Sequence, residues 1–131
     1  MGRVALIVLD ASVVIAHLDP ADSLHRQARS ALLEHADDDL RLPASAYAES
    51  LVDPARKGRL DEARDAIAAL QLQIVPIDGP LAELAASLRA RERALRLPDA
   101  LVLACGRLLD ADVVLTAHRR WRRFDRVQLV T

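Results

Sequence analysis

The chain alternates between short, continuous apolar runs and longer stretches in which apolar residues recur at helical spacing. Positions 4–9, VALIVL, are apolar without a break, the pattern of a strand buried on both faces of a parallel sheet. Leu24, Ala28, Ala31 and Leu32 repeat along one helical face, with Asp22 or Ser23 placed to cap that helix. Positions 40–42 read as a short strand ended by Pro43, and Ser45 then caps a helix carrying Tyr47, Leu51 and Val52. Leu60, Ala63, Ile67 and Leu70 mark a further helix, followed by the strand QIVPI. Gly79 and Pro80 punctuate, with Pro80 at a first helical position before Leu81, Leu84, Ala85 and Leu88. Pro98 opens a helix over 99–109 that is apolar nearly all round and so predicts a central, packed element. Positions 113–115 and 127–130 read as the fourth and fifth strands, and no linker or internal repeat interrupts the series.

Strands separated by helices predict an α/β domain with a mainly parallel, five-stranded sheet and helices on both faces. Ligands of such folds bind beyond the carboxyl ends of the strands, where the strand order reverses. The acids that can reach that rim are few. Asp10 ends the first strand in VLDAS, Glu49 lies on the helix after the second in SAYAES, and Asp99 sits in the first turn of the apolar helix in LPDALVLA. Taken singly each has an ordinary explanation: Asp10 caps a helix beginning near Ser12, Asp99 favours the helix dipole, and Glu49 is solvated. Together, in matching positions after successive elements, they predict three carboxylates that would repel one another unless a cation neutralised them. Oxygen donors of this kind suit Mg²⁺ or Mn²⁺. Asp110 and Asp112 precede the fourth strand and belong to the opposite end; Asp37, Asp38 and Asp39 read as a solvated loop. His17, His25 and His35 fit helix surfaces or ends and lack metal-ligand spacing.

Composition narrows the class. The length of 131 residues and the apolar fraction of 52% predict one folded domain over 1–131. No apolar run approaches the roughly 20 residues of a membrane span, and MGRVALIVLD reads as a core strand rather than a signal peptide. A soluble protein is expected. The single cysteine, Cys105, falls in an apolar helical pattern and reads as core in a reducing compartment such as the cytoplasm. Of 18 cations only Lys57 is lysine, a bias in which genome composition is the main term. The local cluster of Arg119, Arg120, Arg122 and Arg123 is a candidate phosphate-binding rim. Trp121 among them reads first as packing, with base stacking as the alternative.

VLDASVVIAHLDP, ASAYAESL and LPDALVLACGRLLDADVVLTAHRRW occur in an order and spacing that resemble the PIN-domain ribonucleases, in particular VapC-type toxins of bacterial toxin–antitoxin pairs. The resemblance spans essentially the whole chain. It implies a three-layer α/β/α sandwich and a metal-dependent endoribonuclease acting on structured RNA such as tRNA or ribosomal RNA. Asp10, Glu49 and Asp99 match the family's acidic metal ligands, and Ser12 and Thr116 match its hydroxyl residues near the metal or scissile phosphate. A homodimer and a small cognate antitoxin that blocks the active-site groove are also implied. The chemistry needs no protein nucleophile, in keeping with the lack of a convincing Ser–His or Cys–His arrangement.

One position departs from the pattern. Two residues after Thr116, where the family usually has an aspartate, this chain has His118, and Arg120 holds another place where an acid is sometimes found. His118 is therefore a nitrogen ligand or water-mediated partner of a metal, a cation standing in for metal charge, or the mark of a weakened site. The rival from another class is a PIN-like module that binds antitoxin or RNA without efficient cleavage. A phosphoacceptor receiver is disfavoured because the lone lysine is Lys57, and a dehalogenase-like phosphatase because Ser12 stands where a second Asp is needed.

Overall fold

A computed structural model describes residues 3–131. Its elements run β1 (Leu6–Leu9), α1 (Ala11–Leu18), α2 (His25–Glu34), β2 (Asp39–Pro43), α3 (Ala44–Arg56) and α4 (Leu60–Ala68). They continue through β3 (Gln73–Val75), α5 (Gly79–Arg91), α6 (Leu97–Leu108), β4 (Val113–Thr116), a 3-10 helix (Arg119–Arg123) and β5 (Val127–Leu129). All five strands are parallel, in the order β3-β2-β1-β4-β5. From β1 the chain steps outward to β2 and β3 through α1–α4, then returns through α5 and α6 to the other side of β1. Right-handed crossovers place these two helix groups on opposite faces, which makes the three layers. The reversal of direction falls between β1 and β4.

The central strands owe their burial to both helical layers. Ile7, Val8 and Leu9 have no exposed surface, as expected of an unbroken apolar run in mid-sheet. α6 packs as the apolar helix the sequence predicts, burying Ala100 and an unbroken run from Val102 to Gly106. Gly106 is required there, because a Cβ at that position would lie 2.6 Å from Val114 Cγ2 on β4. Cys105 is core, and burial pushes its thiol up to about 11. No helix among the described residues is long and apolar enough to cross a membrane.

Several expected boundaries shift for local reasons. The first strand is shorter than 4–9 because strand pairing extends only over Leu6–Leu9, with Ile7 and Val8 partnered on both sides. Asp39 belongs to β2 rather than to a loop: it pairs with Leu6 in register, and Arg41 binds its carboxylate. Neither Asp22 nor Ser23 caps α2; Leu24 holds the cap position, and Asp22 accepts from the Leu24 amide at 2.8 Å in a turn just before it. Ser45 does not cap α3, whose cap position is Pro43; the Ser45 hydroxyl is buried without a partner among the described residues. Asp78 supplies the cap of α5, accepting from Leu81 N at 3.1 Å.

Candidate active site

Asp10 stands at the first residue after β1, beside the end of β4, at the point where the sheet order reverses. It caps α1, with Oδ2 accepting from the Ser12 amide at 3.3 Å. The capping explanation is therefore correct, yet it accounts for only part of the bonding. The same oxygen also accepts from the Ser12 hydroxyl and from Thr116 Oγ1 at 3.0 Å. Its backbone N–H donates to Leu115 O at 3.0 Å, tying the loop to β4. Among the described residues nothing donates to Oδ1, so a carboxylate that is 4% exposed has one oxygen crowded with donors and the other without any. Oδ1 keeps contact with solvent at the rim, where a cation can reach it.

Thr116, wholly buried, joins the two halves of the rim. Its hydroxyl donates to Asp10 and accepts from His118 N at 3.1 Å, while Ala117 N donates to Ser12 Oγ at 3.0 Å. The segment after β4 is thereby folded back over the start of α1. That bend aims His118 at the acid: Nε2 lies 3.3 Å from Asp10 Oδ2. The imidazole rests against Trp121, with ring centroids 5.0 Å apart and a tilt of 36°. Trp121 is 4% exposed, which settles its role as packing and leaves it no face for a base.

Asp99 comes from the first turn of α6. One donor atom each from Asp10, Asp99 and His118 lies within 4.8 Å of the others. Burial, then the nearby Asp10 charge, push the Asp99 carboxyl above its ordinary range; His118, Arg96 and a backbone hydrogen bond from Arg96 pull the other way. Glu49, on α3, stands outside this close group and is an exposed residue. Its carboxyl is also pushed up, by partial desolvation first and then by Asp10 and Asp99, so it shares their field from the rim. Arg96, at the cap position of α6, opposes the shifts of both acids. The sequence reading passed over it, although it lies just before Pro98 and Asp99.

The arginine cluster is split by its contacts. Arg123 binds Glu92 at 2.8 Å and lies over the Phe124 ring at 4.4 Å. Arg119, Arg120 and Arg122 are exposed on the 3-10 helix and form no salt bridge among the described residues.

The chain matches the PIN domain over residues 7–127 and belongs to that family. No curated protein matches it. Among solved structures it is similar to a toxin–antitoxin complex from Klebsiella pneumoniae, at 22% identity over 95% of this chain and 98% of that one, with a TM-score of 0.80. It is also similar to VapC20 of Mycobacterium tuberculosis, described as a sarcin-ricin-loop-cleaving toxin, at 18% identity over 82% of this chain and 86% of that one, TM-score 0.69. FitAcB from Neisseria gonorrhoeae shares 23% identity over 86% of this chain and 87% of that one, also with a TM-score of 0.69.

Proposed function

We propose that this chain is a metal-dependent endoribonuclease of the VapC toxin type, cutting structured RNA and neutralised by a small cognate antitoxin. The observation that carries the proposal is the meeting of Asp10, Asp99 and His118 at the switch point, with Ser12 and Thr116 holding one Asp10 oxygen. The donor set fits a divalent cation: a buried carboxylate with an uncommitted oxygen, a second carboxylate pushed up by burial and then by the Asp10 charge, and an imidazole. Asp10, Asp99 and His118 would hold Mg²⁺ or Mn²⁺, with Glu49 reaching in from the rim. Bound there, such an ion supplies charge stabilisation for a phosphodiester and a lowered pKa for an attacking water.

The chain's own residues do the remainder. Ser12 and Thr116 fix the Asp10 carboxylate by donating to Oδ2, so that it does not reorganise when charge develops beside it. Arg119, Arg120 and Arg122 offer the phosphates an exposed basic edge next to the site. In this reading the protein works as a homodimer in the cytoplasm, and the toxin–antitoxin complex among its structural neighbours supports the antitoxin partner.

Incubating the purified protein with total RNA, with Mg²⁺ or Mn²⁺ and with chelator, tests it. Cleavage that needs the ion and disappears in Asp10→Asn is expected; cleavage undiminished in that variant sinks the assignment. A second reading is favoured by one observation, the 3.3 Å approach of His118 to Asp10 where the family usually has an acid. It makes the chain a binding module of weak catalytic power, and RNA binding without ion-dependent cleavage would establish it.

A further inference from the structure

We propose that His118 is a direct nitrogen ligand that makes this site selective for a first-row transition ion, such as Mn²⁺, Co²⁺ or Zn²⁺, over Mg²⁺. The inference rests on the metal-site reading above and deepens it.

Three features of the geometry point there. Nε2 lies 3.3 Å from Asp10 Oδ2. Oδ2 already holds the Ser12 and Thr116 donors, so the other oxygen of the same carboxylate, Oδ1, is the one open to an ion. One donor atom each from Asp10, Asp99 and His118 lies within 4.8 Å of the others, which brings all three within reach of one cation.

Next, the ring is fixed from two sides. The backbone of His118 is anchored to Thr116 Oγ1 at 3.1 Å, and its imidazole is backed by the buried indole of Trp121. An exposed histidine serving only as a mobile counter-ion has no need of both restraints. Finally, Asp10 Oδ2 already accepts from Ser12 and Thr116, so a proton on Nε2 would add one more donor to a filled oxygen while Oδ1 stayed bare. A cation shared between the carboxylate and the imidazole satisfies both groups.

The selectivity follows from donor chemistry. Mg²⁺ is a hard ion bound by oxygen and gives up its waters reluctantly. Imidazole adds little for Mg²⁺ but strengthens binding of the transition ions, in the order of their affinity for nitrogen. Exchanging an aspartate for a histidine at this corner therefore lowers the attraction for Mg²⁺ and retains or raises it for the others.

The test uses the full chain loaded with Mn²⁺ and pulsed electron paramagnetic resonance, which detects a nitrogen bonded to the ion. A ¹⁴N coupling is expected in the wild type and lost in His118→Ala and His118→Asp, while Asp10→Asn weakens Mn²⁺ binding as a whole. Calorimetric titration with Mn²⁺ and Mg²⁺ should show the preference for Mn²⁺ falling roughly tenfold or more in His118→Asp, the scale on which changes around a metal move affinity. Bound Mn²⁺ with no ¹⁴N coupling, or a preference unchanged in His118→Asp, overturns the inference. The nuclease reading survives that result if ion-dependent RNA cleavage is still lost in Asp10→Asn; binding of neither ion overturns both.

Discussion

The two ends of one sheet treat their acids in opposite ways. At the amino end, Asp38 accepts from Ala5 N at 3.1 Å and from His35 at 2.8 Å, and Asp112 accepts from Leu6 N at 2.8 Å and binds Arg3. Asp39 is held by the Arg41 guanidinium at 2.8 and 2.9 Å. Each of these carboxyls is drawn below its ordinary range, Asp38 chiefly by His35, Asp39 by Arg41 and Asp112 by the Leu6 amide. At the carboxyl end, Glu49 and Asp99 are pushed up, by desolvation first and then by the Asp10 charge, with Asp99 adding to the shift of Glu49. Acids that serve the fold are supplied with donors; acids gathered without enough donors mark the place where something must be brought to them.

The comparison breaks most sharply at Asp10. Asparagine caps a helix as well as aspartate does, so Asp10→Asn retains the cap of α1 and removes the charge. RNA cleavage is expected to fall by about 10²–10³-fold, the scale on which one preorganised charge-stabilising group contributes, with circular dichroism unchanged. A parallel loss of helix content would mean that the residue matters for the fold alone.

The next effect is on stability. The rim acid Asp99 is carried by α6, whose close approach to β4 depends on Gly106. A methyl group there meets Val114 Cγ2 at 2.6 Å, against a β-branched side chain in the sheet. Gly106→Ala is expected to lower stability by about 1–3 kcal/mol, the cost of overpacking a dense core, measured by denaturant unfolding. The gain in helix propensity, about 0.8–1.0 kcal/mol, works in the opposite direction and reduces the net loss.

The sequence made the carboxyl end legible to a large degree and the amino end hardly at all. Asp10 and Thr116 announce themselves because each closes an apolar strand run, and Asp99 because it opens the apolar helix that leads into β4; a parallel sheet fixes which end such positions occupy. Glu49 was placed on the right helix, but its distance from the other acids depends on how α3 leans over the rim, which hydrophobic spacing does not encode. His118 was identified as an anomaly; its aim at Asp10 arises from the Thr116 and Ala117 hydrogen bonds, which depend on a bend of the backbone. The DDD run at 37–39 looked solvated because its partners, Ala5, His35 and Arg41, are assembled by strand pairing and local turns. Ser45 failed as a cap because Pro43 continues β2 directly into α3, leaving no loop for a capping side chain to close.

Asp99 offers a smaller test, with the opposite sign. A carboxyl whose proton affinity is raised in the folded state costs stability once it ionises; the cost is complete above the raised pKa and is relieved as pH falls toward the ordinary value. In chelator at pH 7, Asp99→Asn should therefore stabilise the protein by about 0.5–1 kcal/mol, at the low end for single substitutions because the partly exposed carboxyl is screened by solvent. The gain should fade as pH drops through the acidic range, and RNA cleavage should be lost throughout. A loss of stability at pH 7 would show that the crowding of acids at this end is not a cost.

The mirror experiment, at the amino end, is the smallest. Asp112 has its carboxyl drawn down by the Leu6 amide and then by Arg3, so its contribution to stability is present above the ordinary carboxyl range and is lost as pH falls through the lowered value. Asp112→Asn should leave RNA cleavage unchanged, because the residue lies at the far end of β4 from Thr116. It should lower thermal stability slightly at neutral pH, and the difference from wild type should shrink below about pH 4, where the unfolded chain's carboxyl begins to bind protons, and vanish below the lowered native value. Added salt should shrink it too, since Arg3 is an exposed partner. A difference that persisted unchanged in acid would mean that the side chain serves through shape and its amide contact, and that charge pairing is not what separates the two ends of the sheet.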